Sequence, residues 1–251
     1  MTRLQAVFWD VDGTLADTEM DGHRPAFNDA FAELGLDWHW DTSLYQRLLA
    51  IPGGGQRMAH YSLERGQPLG SDQLEALKRC KQRHYLRRIR SGAVTLRPGV
   101  ARLLNELQTA GIQQWIVTSS GRPSVEALMD GLFAQGVNPF AGAVSSNDVE
   151  HHKPNPAPYL CALQRSGVPA ASAVAIEDSA AGLIAASDAS VACLVTPSVW
   201  DQQLPSQLHR AVAVVNHLGE PGMTVTQAAG PPCPSDLITL EYLQSLLESV
   251  H

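Results

Sequence analysis

The spacing of hydrophobic residues along the chain alternates between two periods. Continuous apolar runs, which are typical of buried parallel strands, occupy residues 6–9, 173–176, 191–195 and 211–215. Residues 112–118 also predict a buried strand, and residues 143–145 are a short strand candidate. Between and after them, apolar residues three or four positions apart predict amphipathic helices. These helices are expected near residues 27–34, 71–90 and 100–107, from Pro123 onwards, and at 158–166 and 237–247. Strands that alternate with helices predict a doubly wound, Rossmann-like parallel sheet of the α/β class, whose ligands bind at the carboxyl ends of the strands.

The alternation is interrupted directly after the first strand. From residue 17 to residue 92 the pattern is helical, without a convincing strand. We therefore expect a small all-α cap domain, residues 17–92, inserted into an α/β core made of residues 1–16 and 93–251. Near the C-terminus, the Gly- and Pro-rich segment 219–234 predicts a loop before the last helix.

Composition narrows the class of protein. The chain has 251 residues, 44% hydrophobic and 17% charged, which suits one large domain or a core with an insertion. A net charge of −7 argues against nucleic acid as a main partner, and no stretch approaches the ~20 apolar residues that span a bilayer. The first strand begins too close to the N-terminus for a signal peptide, and four scattered cysteines lack metal-site spacing. We expect a cytoplasmic monomer with reduced thiols that acts on a small molecule.

A basic segment holds seven Lys or Arg residues between Lys78 and Arg90. Such a segment could bind a polyanion. We interpret it instead as the solvent-facing, C-terminal half of a helix capped by Ser71, where cations interact favourably with the helix macrodipole.

Two carboxylates follow the first strand in the string Asp10-Val11-Asp12-Gly13-Thr14-Leu15. An aspartate that a divalent cation holds against a phosphate is a good nucleophile toward phosphorus. A second carboxylate two residues later can protonate the leaving oxygen, and Gly13 allows a sharp turn whose amides can face an anion. Calcium loops also contain Asp-x-Asp, but they continue with acidic or amide residues at alternate positions. The string therefore predicts Asp10 as a nucleophile and Asp12 as a general acid and base.

Two further polar sites, after the strand at 112–118 and in the loop beyond 143–145, could converge on Asp10. The hydroxyls and amides of Thr118, Ser119 and Ser120 could bind phosphate oxygens, or these residues could simply cap the helix near Pro123. Lys153 could balance the charge of the nucleophile and bind the phosphate as a point cation, although a loop lysine often faces solvent.

Glu177 and Asp178 close the strand at 173–176. Buried carboxylates at a strand end are costly unless they are paired or bind a cation. With Asp10 they would form an oxygen-only site suited to Mg²⁺, in which Asp178 is a direct ligand and Glu177 acts through water or from behind. Asp12 would lend only its backbone carbonyl. The alternative, a helix N-cap, explains one carboxylate but not two.

The order Asp-x-Asp, Thr/Ser, Lys, Glu-Asp resembles the four motifs of the haloacid dehalogenase-like phosphatase superfamily. The helical insertion resembles the type-one cap of its sugar-phosphate phosphatases and β-phosphoglucomutases. Residues 16–28, 35–38 and 53–54 look like the CbbY-type phosphatases of carbon fixation, which are similar to enzymes that hydrolyse xylulose-1,5-bisphosphate, an inhibitor of Rubisco. The resemblance implies a Mg²⁺-dependent sugar-phosphate phosphatase with an aspartyl-phosphate intermediate, and leaves a phosphomutase or another sugar phosphate as alternatives.

That resemblance also implies residues that bind the substrate. Glu19 and His23 would face the sugar hydroxyls from the cap hinge, and Arg24 and Arg57 would serve the distal phosphate, which needs a cation of its own. Gly54 is a further substrate-binding candidate. Glu19 and His23 could instead cap a helix or face solvent, and Arg57 could lie on the surface. The chain reads Gly-Gly-Gly-Gln-Arg at 53–57 where the family pattern is Gly-Gly-Lys-Glu-Arg, so it lacks a cap lysine and a glutamate there.

A haloacid dehalogenase would need neither Asp12 nor magnesium. A catalytically idle binding module would not need the complete set of Asp10, Asp12, Lys153 and Asp178. Both classes are therefore disfavoured.

Overall fold

The computed structural model describes residues 3–248 except 52, 134, 135, 137, 199, 202 and 203. Within this part of the chain, the sheet has seven strands: β1 (Ala6–Trp9), β2 (Gln113–Val117), β3 (Gly142–Val144), β4 (Ala173–Glu177), β5 (Ala192–Val195), β6 (Ala213–Val215) and β7 (Gln227–Ala229). They lie in the order β3-β2-β1-β4-β5-β6-β7, and all neighbouring pairs are parallel except β6 and β7. The predicted α/β class with a Rossmann-like parallel sheet is confirmed.

The antiparallel strand β7 corrects one prediction. The sequence predicts a loop over residues 219–234, and this is wrong for Gln227–Ala229, which pair with β6. Three residues among glycines and prolines are too few to show an alternating pattern. Their pairing gives β6 hydrogen-bond partners along an edge that would otherwise stay open.

The helices are α1 (Arg24–Glu33), α2 (Thr42–Leu48), α3 (Gly54–Glu64), α4 (Ser71–Arg90), α5 (Val100–Thr109), α6 (Arg122–Leu132), α7 (Ala157–Ser166), α8 (Ala180–Asp188) and α9 (Leu240–Glu248). A π-helical turn, Glu19–His23, leads into α1, and short 3-10 turns lie at Ala170–Ser172, Leu204–Ser206 and Leu208–Arg210. α4 has the predicted bounds, whereas α9 begins at Leu240 instead of residue 237.

Alternate residues of β1 point to opposite faces of the sheet, and apolar side chains of helices cover both faces. Val7 and Trp9 join an apolar cluster that includes residues of α5 and α9. Ala6 and Phe8 join a second cluster that includes residues of α7 and α8. This two-sided burial explains why the strands read as continuous apolar runs.

A third cluster lies within α1 to α4 and their connecting loops, where the cap domain of residues 17–92 is proposed. It is rich in aromatic rings, with Phe27 and Trp40 centred 4.6 Å apart and Phe31 and Trp40 centred 4.9 Å apart. Aromatic pairs at such distances add to the free energy gained by burial. The helical segment therefore has an apolar core of its own.

The four cysteines, Cys80, Cys161, Cys193 and Cys233, are free thiols. Among the helices of the described residues, none combines the length and the apolar character that a membrane span requires.

Candidate active site

The register of the sheet brings the predicted site residues to one edge. Trp9 of β1 lies opposite Ile116 of β2 and Ile176 of β4. Asp10 and Glu177 follow these positions directly, and Thr118 lies two residues after Ile116, so all three lie at the carboxyl ends of the three central strands. Asp10 and Thr118 line a cleft of about 1410 Å³ that residues of α1 to α4 also line, whereas Glu177 is fully buried.

Lys153 ties the central strands together at the floor of this cleft. Its Nζ donates to Asp10 Oδ1 at 2.7 Å, to Glu177 Oε1 at 2.6 Å and to the carbonyl of Val117 at 2.7 Å. Only 4% of its side chain is exposed. Burial disfavours the charged lysine, but Asp10 and Glu177 raise its pKa above the ordinary value. The alternative of a solvent-facing lysine is excluded.

Asp10, Glu177 and Asp178 form a compact group of buried carboxylates, with one oxygen of each within 4.8 Å of the others. Desolvation by burial raises the pKa of Asp10 to about 7 although Lys153 opposes this shift, and it raises the pKa of Asp178 well above its ordinary value. Three ionised carboxylates and one lysine leave a formal charge of −2. A divalent cation would balance that charge and keep the acids ionised.

Two local features show that this acidic group is tightly packed and holds an oxygen that the described residues leave unpaired. Gly13 has φ +92°, and a Cβ at this position would lie 2.1 Å from Asp178 Oδ2. Glu177 Oε2 is buried without a hydrogen-bond partner among the described residues. An all-oxygen donor set with unbalanced negative charge fits Mg²⁺.

The N-cap alternatives do not hold. Ser179 is the N-cap of α8, and its side chain accepts from the amide of Gly182. Gly121 is the N-cap residue of α6, without a side-chain cap. The carboxylates of 177–178 and the hydroxyls of 118–120 are therefore left for other roles.

Asp12 lies apart from the acidic group. Its Oδ1 accepts from the hydroxyl of Thr18, and its Oδ2 accepts from the hydroxyl of Ser120 at 2.5 Å. The Thr118–Ser120 loop is itself closed by a hydrogen bond from the amide of Ser120 to Thr118 Oγ1 at 3.0 Å. Thr118, Ser119 and Ser120 all line the cleft together with Asp10 and Asp12, and the Ser120 hydroxyl contacts Asp12 directly.

Glu19 and His23 line the cleft from the cap side, as the resemblance implies. Glu19 Oε2 accepts from the hydroxyl of Tyr45, and burial raises the pKa of Glu19. The His23 ring stacks on Tyr85 at 4.0 Å, and its Nδ1 lies 2.7 Å from Lys81 Nζ. Burial and the neighbouring Lys81 hold the pKa of His23 well below its ordinary value, so the imidazole is neutral and accepts from the lysine.

Lys81 is a site residue that sequence reasoning missed. It lines the cleft, and its Nζ lies 4.9 Å from the ring centre of Phe27 and 4.7 Å from that of Tyr85. Burial lowers its pKa to about 8, opposed by Glu19. The solvent-facing interpretation of the basic segment is therefore wrong for this residue. The signal was its position four residues after Leu77 and four before Tyr85, on the apolar face of α4.

The predicted ligands of the distal phosphate divide into two groups. Gly54 and Arg57 line the cleft at the start of α3. Arg57 Nε donates to the carbonyl of Ile51 at 2.9 Å, and its Nη1 lies 3.5 Å from the hydroxyl of Tyr45. Arg24 is not part of the cleft lining and donates instead to the carbonyl of Trp40. The structure thus brings Arg57 to the site and leaves Arg24 half-buried beside Trp40.

Arg97, on the segment between α4 and α5, holds the turn that follows β1. It donates to the carbonyl of Gly13 and, at 3.0 Å, to Thr196 Oγ1. It thereby joins the turn after β1 to the end of β5. No motif in the sequence marked this arginine.

A second group of possible metal ligands lies between α1 and α4, and its side chains are already paired with arginines. It contains Glu33, Cys80 and His84. Arg83 pairs with Glu33, and Arg87 Nη2 lies 2.5 Å from His84 Nδ1. Neighbouring cations disfavour a metal ion, so this group is an ion-pair network between α1 and α4.

Comparison with known proteins agrees with this geometry. A family model described as haloacid dehalogenase-like hydrolase matches residues 7–196. Protein CbbY (plasmid) of Cupriavidus necator is 40% identical over 230 residues, covering 89% of this chain and 89% of that protein. Protein CbbY of Rhodobacter capsulatus is 40% identical over 198 residues, covering 78% of this chain and 87% of that protein.

Solved structures give the same picture. A mutant CbbY from Rhodobacter sphaeroides in complex with xylulose-(1,5)bisphosphate superimposes with a TM-score of 0.67 at 37% identity, covering 79% of this chain and 88% of that chain. A putative β-phosphoglucomutase from Thermotoga maritima reaches a TM-score of 0.70 over 99% of this chain and 100% of that chain, but at 23% identity it shows a common fold only.

Proposed function

The chain belongs to the haloacid dehalogenase-like hydrolase family, and on that premise we propose that it is a Mg²⁺-dependent sugar-phosphate phosphatase that works through an aspartyl-phosphate on Asp10. The observation that carries the proposal is the buried network in which Lys153 holds Asp10 and Glu177 beside Asp178. We propose xylulose-1,5-bisphosphate as the substrate, with xylulose 5-phosphate and phosphate as products. The domain division, a core of 1–16 and 93–251 with a cap of 17–92, is part of the same proposal.

Asp10 is the nucleophile of the first step. Asp10, Asp178, the backbone carbonyl of Asp12 and, from behind, Glu177 would hold the cation, which when bound would neutralise the phosphate oxygens and polarise phosphorus. Lys153 fixes the Asp10 carboxylate and opposes the rise in the pKa of Asp10 that burial causes. An Asp10 oxygen attacks in line, and its bond to phosphorus forms as the bond to the sugar oxygen breaks.

Asp12 moves the proton in both steps. It donates a proton to the leaving sugar oxygen and then takes one from the water that hydrolyses the aspartyl-phosphate. The hydroxyls of Thr18 and Ser120 hold its carboxylate. Because a hydroxyl both donates and accepts, these contacts persist when Asp12 carries the proton.

The cap side of the cleft supports a substrate with a second phosphate. Arg57 and Lys81 provide positive charge there. Glu19 provides an acceptor for sugar hydroxyls, and neutral His23, whose Nδ1 accepts from Lys81, provides a donor at Nε2. The amides at the start of α3, at Gly54, add donors for an anion. Lys81 supplies from α4 the lysine that is missing from residues 53–57. The CbbY structure with bound xylulose-(1,5)bisphosphate makes that compound the first substrate to test.

A panel of pentulose and hexose mono- and bisphosphates, assayed for phosphate release with and without Mg²⁺, tests the proposal. We expect the highest kcat/KM for xylulose-1,5-bisphosphate and complete loss of turnover after chelation. Arg57→Ala should lower kcat/KM for the bisphosphate about 10- to 100-fold, because hydrogen bonds of charged groups contribute roughly 1.5–3 kcal/mol. Arg79→Ala, an exposed arginine of α4 paired with Glu75, is the matched control.

Two results would contradict the proposal. Isomer formation without release of phosphate would identify a phosphomutase, which shares the first half-reaction and returns the phosphoryl group to a sugar. An unchanged preference for bisphosphates in Arg57→Ala would remove Arg57 from the distal phosphate site.

A further inference from the structure

The loop that follows β5 is held against the catalytic edge of the sheet. The amide of Ser198 donates to the carbonyl of Asp178 at 3.1 Å. Asp201 Oδ2 accepts from the amide of Ala180, at the start of α8, at 2.6 Å. Because both ends of this short segment bond to the chain around Asp178, Trp200 between them has a fixed place in the core.

The side chain of Trp200 leaves the core and reaches the hinge and the cap. Its Nε1 donates to Asp17 Oδ1 at 3.2 Å, and the same oxygen accepts from the amide of Met20 at 3.1 Å. Its ring meets the ring of Tyr45 edge-on, with centres 6.3 Å apart and planes at 77°. Trp200 therefore contacts Asp17 at the start of the cap and Tyr45 in α2, and it also lines the cleft.

Tyr45 connects this contact to the groups proposed to bind the substrate. Its hydroxyl donates to Glu19, and the guanidinium carbon of Arg57 lies 5.9 Å from the centre of its ring. Tyr45 is fully buried, so a shift of its ring moves both neighbours. Trp200 packs against the ring of Tyr45 from the loop that follows β5.

We propose that Trp200 is a specificity-determining residue that positions the cap-side binding groups for an extended sugar phosphate. This inference rests on the proposed function. Trp200 supplies no group to phosphoryl transfer at Asp10, so hydrolysis of a small aryl phosphate should depend on it less than hydrolysis of an extended sugar phosphate. Its role is visible only in the ratio between the two kinds of substrate.

The experiment compares kcat/KM of p-nitrophenyl phosphate with that of the best sugar phosphate of the panel, in Mg²⁺, for three variants. In Trp200→Ala we expect about a tenfold loss for the sugar phosphate, mainly in KM, and a clearly smaller loss for the aryl phosphate. Trp200→Phe keeps a ring against Tyr45 but loses the donor to Asp17, and should recover most of the loss. Trp115→Phe, a tryptophan of β2 outside the cleft lining, is the matched control.

The outcomes separate the inference from the proposed function. If the unaltered protein prefers no sugar phosphate to the aryl phosphate, the proposed function fails and the inference fails with it. If that preference exists and Trp200→Ala lowers both activities equally, or neither, the inference alone is overturned. Thermal unfolding of each variant, followed by circular dichroism, identifies a loss that comes from a misfolded protein.

Discussion

Gly13 offers the sharpest test of how the acidic group is built. Its φ is +92°, a backbone conformation that costs other residues about 1–3 kcal/mol. A Cβ at this position would also lie 2.1 Å from Asp178 Oδ2 and 2.7 Å from Asp178 Cγ. Asp178 is only 6% exposed and cannot step aside freely. Gly13→Ala must therefore displace the Asp178 carboxylate from Asp10 and Glu177.

The displacement should appear as weaker binding of Mg²⁺. Changes that disturb the support of metal ligands cost about 10- to 100-fold in affinity, so we expect the Mg²⁺ concentration for half-maximal turnover to rise by about that factor. The assay is hydrolysis of an aryl phosphate over a series of Mg²⁺ concentrations. Tm is measured on the same samples.

Gly35→Ala is the matched control. Gly35 also has a positive φ, +70°, but a Cβ there would meet nothing within 4 Å. The backbone strain is similar, so the Tm of both variants should be about 2–10 °C lower. Only Gly13→Ala should change the Mg²⁺ concentration for half-maximal turnover. An equal dependence in the two folded variants would refute the placement of Asp178 as a ligand held against Gly13.

Three further predictions concern protonation and the support of the network. Asp12→Asn should lower kcat about 10²- to 10⁴-fold, as expected for loss of a general acid and base, and full turnover would refute that role. The pKa of Lys81 is lowered to about 8, so Lys81 is charged below this pH and neutral above it. We therefore expect kcat/KM for the sugar phosphate to fall as the pH rises through 8. The same fall in Lys81→Met would assign this titration to another group. Tyr159→Phe removes the hydroxyl that donates to buried Glu177, so the free energy of unfolding should fall by roughly 1.5–3 kcal/mol in calorimetry, and an unchanged Tm would show that the hydroxyl contributes nothing there.

The core of the site was predictable because parallel strands bring their carboxyl ends together. The sequence alone placed Asp10 and Glu177 after apolar runs, and the fold then had to gather them at one edge of the sheet. The Thr118 hydroxyl followed by the same rule. Lys153 lies in a loop, and only the three contacts of its Nζ in the structure distinguish it from a lysine in solvent.

The cap side was harder to predict because its site residues come from separate helices. Lys81 was concealed within a basic segment whose other members mostly face solvent. Trp200 lies in a loop without a periodic pattern, and its role depends on a contact with Tyr45 that is distant in sequence. Arg24 has the same charge as Arg57, yet packing turned it toward Trp40. Such positions are decided by tertiary packing, which local spacing does not encode.

The most direct test of the account is to find the phosphoryl group on the protein during turnover. The protein is mixed with excess substrate and Mg²⁺, quenched in acid within the first turnovers, digested, and the peptides are analysed by mass spectrometry. We expect one phosphoryl group on Asp10 and none in a chelated sample. A phosphoryl group on any other side chain, or turnover that persists in full under chelation, would contradict the claim that Asp10 attacks phosphorus at a magnesium site.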